Sequence, residues 1–111
     1  MARFEAHEVA LQLVRAVGKL LPRIKQHNAK LAQQLVDAVA SVPANFAEGA
    51  HRAGRDRLYL YTVAGGSAAE VRTHLAVAAA LGYVPDADTV EPDRLADRAA
   101  AMAWRLTHPR R

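Results

Sequence analysis

The chain contains no cysteine, which at once excludes a disulfide framework, a thiolate nucleophile and a cysteine-type zinc site. That usage suits a reducing interior, and the expected location is the cytoplasm. Long apolar runs are missing too. No uncharged stretch is long enough to span a bilayer, and the opening Met1-Ala2-Arg3-Phe4-Glu5-Ala6-His7-Glu8 carries charges where a signal peptide needs an apolar centre. Aromatic residues amount to 5% of the chain, so base-stacking platforms are few. Tyr59, Tyr61, Tyr83 and Trp104 are available for stacking, and helical packing is the expected use of most of them.

Absent motifs narrow the chemistry further. The chain has no Gly-x-x-x-x-Gly-Lys loop, no Gly-x-Ser-x-Gly elbow and no dinucleotide fingerprint. His7, His27, His51, His74 and His108 lie in different segments, and none repeats at four-residue spacing. Glu48 and Glu70 form a conceivable carboxylate pair, but neither a nucleophile nor a defined pocket accompanies them. The expectation is a non-enzyme with no metal and no cofactor.

What is present is helical. At 111 residues the chain fits one domain, 1–111, able to bury roughly two-thirds of its unfolded surface. The spacing predicts helix one over about 6–21, with Val9, Leu13, Val17 and Leu20 on one face and Pro22 at its end. Asn28 is a good N-cap for helix two. There Leu31, Leu35, Ala38, Val39, Val42 and Phe46 share one stripe, which passes Pro43 without changing phase. A single kinked helix ending between Gly49 and His51 is expected. Residues 58–63 are rich enough in aromatic and β-branched side chains to suggest a strand. The spacing that follows, through Ala64, Ser67, Val71, Leu75 and Ala78 to Leu81, favours helix three instead. The small residues Ala64, Gly65, Gly66, Ser67, Ala68 and Ala69 on it predict a closely approaching backbone. Gly82 is the natural stop, and helix four is expected to begin between Thr89 and Pro92, burying Leu95, Ala99, Met102 and Leu106. Trp104 falls opposite that stripe, as a cover over a groove or part of a subunit contact. The reading is an all-α protein, an antiparallel up-down-up-down four-helix bundle with a kinked second helix.

Pro43 is the chain's strongest local anomaly, because a proline inside a helix removes a hydrogen bond and crowds the preceding turn, at ~3 kcal/mol. It sits in Ser41-Val42-Pro43-Ala44-Asn45-Phe46-Ala47-Glu48-Gly49. Asn45, Glu48 and Arg52 lie three and four residues apart, able to reach one another along one helical surface. Two uses are open: a polar recognition site, or a structural network with Ser67 or Glu70 that satisfies buried groups and the carbonyl freed by Pro43. The structural use is preferred.

This run resembles the Ser-Ile-Pro-x-Asn-Ile-Ala-Glu-Gly pattern of the four-helix-bundle family first met as proteins encoded in 23S rRNA intervening sequences. Gly66-Ser67-Ala68-Ala69-Glu70 is similar to that family's Gly-Ser-x-x-Glu, and Leu81-Gly82-Tyr83 to its Leu-Gly-Tyr helix end; Arg52 also matches. The resemblance spans nearly the whole chain and marks Pro43, Asn45, Glu48, Gly49, Gly66, Ser67 and Glu70 as structural motif residues. It implies a ring-shaped homo-oligomer, typically a pentamer. A distant relative is a nucleic-acid-binding accessory to the reverse transcriptase of diversity-generating retroelements, while most members have no established molecular activity. The chain departs from the pattern at Val36-Asp37, where relatives carry a basic pair, at Arg57, where an aromatic is common, and at Gly54, which replaces a hydroxyl residue.

Charge is sorted along the sequence. Residues 9–36 carry Arg15, Lys19, Arg23, Lys25 and Lys30 and no acid, whereas Asp86, Asp88, Glu91, Asp93 and Asp97 crowd the later part. In an up-down bundle the first and third loops share one end, where Arg23 and Lys25 are expected to meet Asp86, Asp88, Glu91 and Asp93. The second loop shares the other end with both termini, which collects Arg3, Arg52, Arg55, Arg57, Arg110 and Arg111 against Glu5, Glu48 and Asp56. With a formal net charge of +4, that arginine-rich end is the expected surface for RNA or DNA, through Arg52, Arg55, Arg57, Arg110 and Arg111. The alternatives are a solvated rim on a homo-oligomeric scaffold that binds only protein, and no membrane partner is expected.

Overall fold

The computed structural model describes the backbone of residues 2–109 and the side chains of 5–109. The described residues form five α-helices: α1 Ala2–Gly18, α2 Leu21–His27, α3 Ala29–Ala50, α4 Gly54–Ala80 and α5 Asp86–Thr107. The four long helices pack in a closed order. α1 lies against α3 and α5, and α4 against the other flanks of the same two helices. At about 1.5 Å per residue the 27 residues of α4 span about 40 Å, which accounts for most of the 45 Å long axis.

Helix α2 was not expected, and Pro22 explains it. A proline at 22 would press on the carbonyl of Gly18, four residues earlier, so α1 stops at Gly18 instead of reaching Leu21. The chain then restarts with Pro22 in the first turn of α2, where its missing N–H costs little. Ile24 is fully buried and ties this short helix to the core. Asn28 ends α2 and caps α3, its side-chain oxygen accepting from the Leu31 amide at 2.9 Å.

The expected stripe of α3 is buried from Leu31 to Phe46, and the helix is continuous through Pro43. Residues 58–63 are helical, part of α4. α4 ends in a Schellman motif: the Tyr83 amide donates to the Ala78 carbonyl and the Gly82 amide to that of Ala79, both at 2.9 Å, with Gly82 at φ +78°. Helix α5 starts at Asp86, earlier than expected. Asp86 and Asp88 in its first turn complement the helix dipole, and Pro92 becomes a buried interior residue.

The predicted close approach on α4 exists at Gly65 but not at Gly66. Gly65 faces α5, where an added Cβ would stand 3.1 Å from that of Ala103. Gly66 is exposed, and a methyl group placed on it would meet nothing within 4 Å, so within one chain it packs against nothing. The tight contact between α3 and α4 lies at Gly49. A Cβ there would fall 2.7 and 2.8 Å from two ring carbons of Tyr61, which is fully buried and tilted against Phe46 at a 6.0 Å ring separation. Gly49 does not take a positive φ, so it is kept for space and not for backbone freedom.

Two glycine substitutions should therefore move stability in opposite directions in the isolated subunit. Gly49→Ala overpacks the α3–α4 contact and should cost about 1–3 kcal/mol. Gly66→Ala relieves an exposed helix of glycine and should stabilise it by about 0.5–1 kcal/mol. Chemical denaturation of both variants checks the pair.

Candidate nucleic-acid interface

The turn between α3 and α4 has only three residues, His51, Arg52 and Ala53, and together with the first turn of α4 it carries Arg52, Arg55 and Arg57. α3 closes with the His51 amide donating to the Glu48 carbonyl and the Arg52 amide to that of Gly49, both at 3.1 Å. Gly54 then opens α4 at φ +59°, a conformation that favours glycine. Ala53, not Gly54, stands at the N-cap and supplies no capping side chain.

The three arginines of this turn have different tasks. Arg57 is half-buried and its Nε donates to the Gly49 carbonyl at 3.3 Å, closing the end of α3. Arg52 pairs with Glu48 across one helical turn at 2.8 Å, with about half of each side chain exposed. Such a pair contributes ~0–1 kcal/mol and leaves the guanidinium open to solvent. Arg55 is exposed and, among the described residues, has no carboxylate partner within ion-pair distance. Arg110 and Arg111 lie outside the described residues, as does the side chain of Arg3.

The polar network expected around Pro43 is real but smaller. Asn45 donates from Nδ2 to the Ser41 carbonyl at 2.8 Å and to Ser41 Oγ at 2.9 Å, and Ser41 Oγ meets Ser67 Oγ of α4 at 2.8 Å. Ser41 is thus the hub, and the Asn45 amide serves its carbonyl, not the Val39 carbonyl that Pro43 releases. Glu48 and Arg52 stand apart as their own pair. Glu70 turns away to His74 at 3.1 Å. Asn45 and Ser67 therefore meet through Ser41, while Glu48 and Glu70 do not approach them or form a carboxylate pair with each other. The Ser41–Asn45 spacing of four residues carried this information in the sequence.

Away from that turn, one of the expected pairings forms among the described residues, and Lys25 takes part in none. Arg23 meets Asp88 at 2.9 Å. Arg72, which sequence reasoning missed, bridges α4 to α5 by reaching Asp93 at 2.9 Å and Asp97 at 3.0 Å. The hydrogen bond that Arg72 donates to Asp93 raises the Arg72 pKa above its ordinary value against an opposing desolvation. Glu91 and Arg94 pair along α5, and the Arg94 hydrogen bond lowers the Glu91 pKa. Because the Glu91 pKa is lowered by folding, this pair's contribution is present above the ordinary glutamate pKa and is lost as the pH falls through the folded value. No group of three or more metal-ligating side chains occurs among the described residues.

A family model for the 23S rRNA-intervening sequence protein matches residues 3–105, nearly the whole chain. The chain belongs to this 23S rRNA-intervening sequence protein family. A solved structure with which it aligns at a TM-score of 0.88 comes from Bacteroides thetaiotaomicron, a protein of unknown function from the S23 ribosomal protein family. The two are 14% identical, over 97% of this chain and 99% of that one, so the likeness concerns the fold. No functionally curated protein matches. Within the family pattern, the structure gives Gly49 a steric role beneath Tyr61, Ser67 a bond across to α3, and Asn45 the support of Ser41.

Removing the hub's partners should be costly out of proportion to their exposure. Asn45→Ala or Ser67→Ala should each destabilise by about 1 kcal/mol, and the double variant by less than the sum, because both act through Ser41. Urea unfolding of the two single variants and the double variant measures this coupling.

Proposed function

We propose that this 23S rRNA-intervening sequence protein family member is a non-enzymatic, homo-oligomeric helical module that binds structured RNA or DNA through its arginine-rich end. The observation that carries the reading is the uneven use of arginine. Toward one end Arg23, Arg72 and Arg94 are each matched to carboxylates, whereas at the α3–α4 turn only Arg52 has one among the described residues. Arg55 and the outer part of Arg52 remain for phosphate. Contacts of this kind carry little sequence preference and depend steeply on salt, since their free energy comes largely from released counterions. The fold in this reading is an up-down-up-down four-helix bundle, α3 bent at Pro43 and α2 added at one end, assembled as a ring of five in the cytoplasm. No described helix is long and apolar enough to cross a membrane.

A second reading keeps the ring and gives it only protein partners. It is favoured by the apolar side chains left exposed on α4, α5 and the loop between them: Leu58, Tyr59, Val77, Leu81, Val90 and Trp104. More apolar surface is available than one chain covers.

Titrating a labelled RNA hairpin at several salt concentrations separates the two. The nucleic-acid reading predicts log affinity falling linearly with log salt, and Arg55→Gln lowering the slope by about one phosphate contact without altering assembly. Arg52→Gln should weaken binding similarly, while Arg57→Gln should also loosen the end of α3. Absence of binding at low salt, with an oligomer seen by light scattering, supports the scaffold instead.

A further inference from the structure

The aromatic side chains are not all spent on packing. Tyr61 is buried against Phe46, and Tyr83 lies flat on His27 with ring centroids 5.1 Å apart. Tyr59 and Trp104, however, are 68% and 60% exposed, and both belong to the arginine-rich end. A groove of about 240 Å³ runs between α4 and α5 there, walled by Thr62, Gly65, Ala100, Ala103, Trp104 and His108. Its middle is lined by small residues. That volume is below the range of drug-sized ligand sites and suits a single flat ring system.

The walls are arranged for such a ring. Trp104 stacks on His108 with centroids 4.1 Å apart and planes 10° apart, and His108 Nδ1 lies 2.9 Å from the Trp104 carbonyl. This pairing fixes the indole in one orientation while most of it stays open to solvent. On the facing helix, Tyr59 stands one turn before Thr62 and Arg55 one turn before Tyr59. Helical spacing therefore puts a cation, an exposed ring and the groove in line along one stripe of α4. Arg105 is exposed beside Trp104, and Asp56 beside Arg55 is the nearby acid in sequence. Positive charge flanking an open aromatic groove is the combination that follows a strand's phosphates while holding its bases.

We propose that the α4–α5 groove beside Trp104 receives an unpaired base of a bound RNA or DNA strand, stacked on the Trp104 indole, with Arg55 on the adjoining phosphate. This rests on the nucleic-acid reading above and adds to it a preference for unpaired nucleotides next to paired ones. Trp104 is the chain's lone tryptophan, so its fluorescence reports on the groove directly.

The test titrates the full chain at fixed low salt with a fully paired RNA hairpin and with the same hairpin carrying one unpaired adenosine. The expected result is quenching of tryptophan fluorescence by the second RNA and affinity about tenfold higher than for the first. Trp104→Ala should erase that tenfold preference and leave affinity for the paired hairpin unchanged, and Trp104→Phe should keep part of it. Equal affinities, no quenching and an indifferent Trp104→Ala variant would overturn the base site while the salt-dependent nucleic-acid reading stands. Binding of neither RNA would remove both. If Trp104→Ala instead dissolves an oligomer and RNA never quenches the wild type, the groove belongs to a second copy of the chain and the proposal fails.

Discussion

The structure depends on how closely α4 can lie against α3 where the Tyr61 ring sits over the bare backbone of Gly49. Any side chain at 49 would meet that ring, so the hairpin closes this tightly only around glycine. The rest of the contact follows. Phe46, one turn back on α3, packs against the same ring, and further along the helix pair the Ser41 and Ser67 hydroxyls meet with Asn45 supporting the first. With the axes held this close, three residues suffice to join the helices. The Gly49 carbonyl, beside the packed ring, is also the acceptor for the Arg57 side chain. One steric constraint thus orders the core of the hairpin and fixes the base of its arginine-bearing turn.

Charge and aromatic surface are distributed according to the same framework. Toward the end holding α2 and the α4–α5 loop, Arg23, Arg72 and Arg94 pair with carboxylates while Lys19, Lys25 and Lys30 form no ion pair among the described residues, and Tyr83 is held by His27 and by a long hydrogen bond from Asn28 at 3.4 Å. Toward the turn, Arg55 and Arg57 have no carboxylate partner among the described residues and two large aromatics are open to water. A binding surface confined to the turn end is the economical use of such an arrangement. Surface ion pairs contribute little to stability, so the pairing of Arg23, Arg72 and Arg94 matters more for where positive potential is left than for holding the fold.

The sequence made the long helices legible because their apolar stripes persist over many turns; the stripe of α3 even bridged Pro43 correctly. Helix α2 was hidden because seven residues with one fully buried side chain, Ile24, have no period to read. The start of α5 was misplaced because Pro92 resembles a first-turn proline, whereas the acids at 86 and 88 already mark the helix dipole. Among the site residues, local bonds such as the Asn28 cap followed from spacing. Contacts between helices did not. Nothing in the order of residues says that Gly49, and not Gly66, faces a ring, or that Tyr59 and Trp104 stay exposed while Tyr61 is buried. Those outcomes depend on the rotation of one helix against another, which small residues on several faces leave undetermined.

The most direct examination of the central contact is a double-mutant cycle joining position 49 to position 61, read by denaturant unfolding. If the Tyr61 ring is what excludes a methyl group at 49, the cost of Gly49→Ala should fall to nearly nothing in a Tyr61→Leu background, giving a coupling of about 1 kcal/mol or more. An undiminished cost in that background would place the obstruction elsewhere and contradict the account.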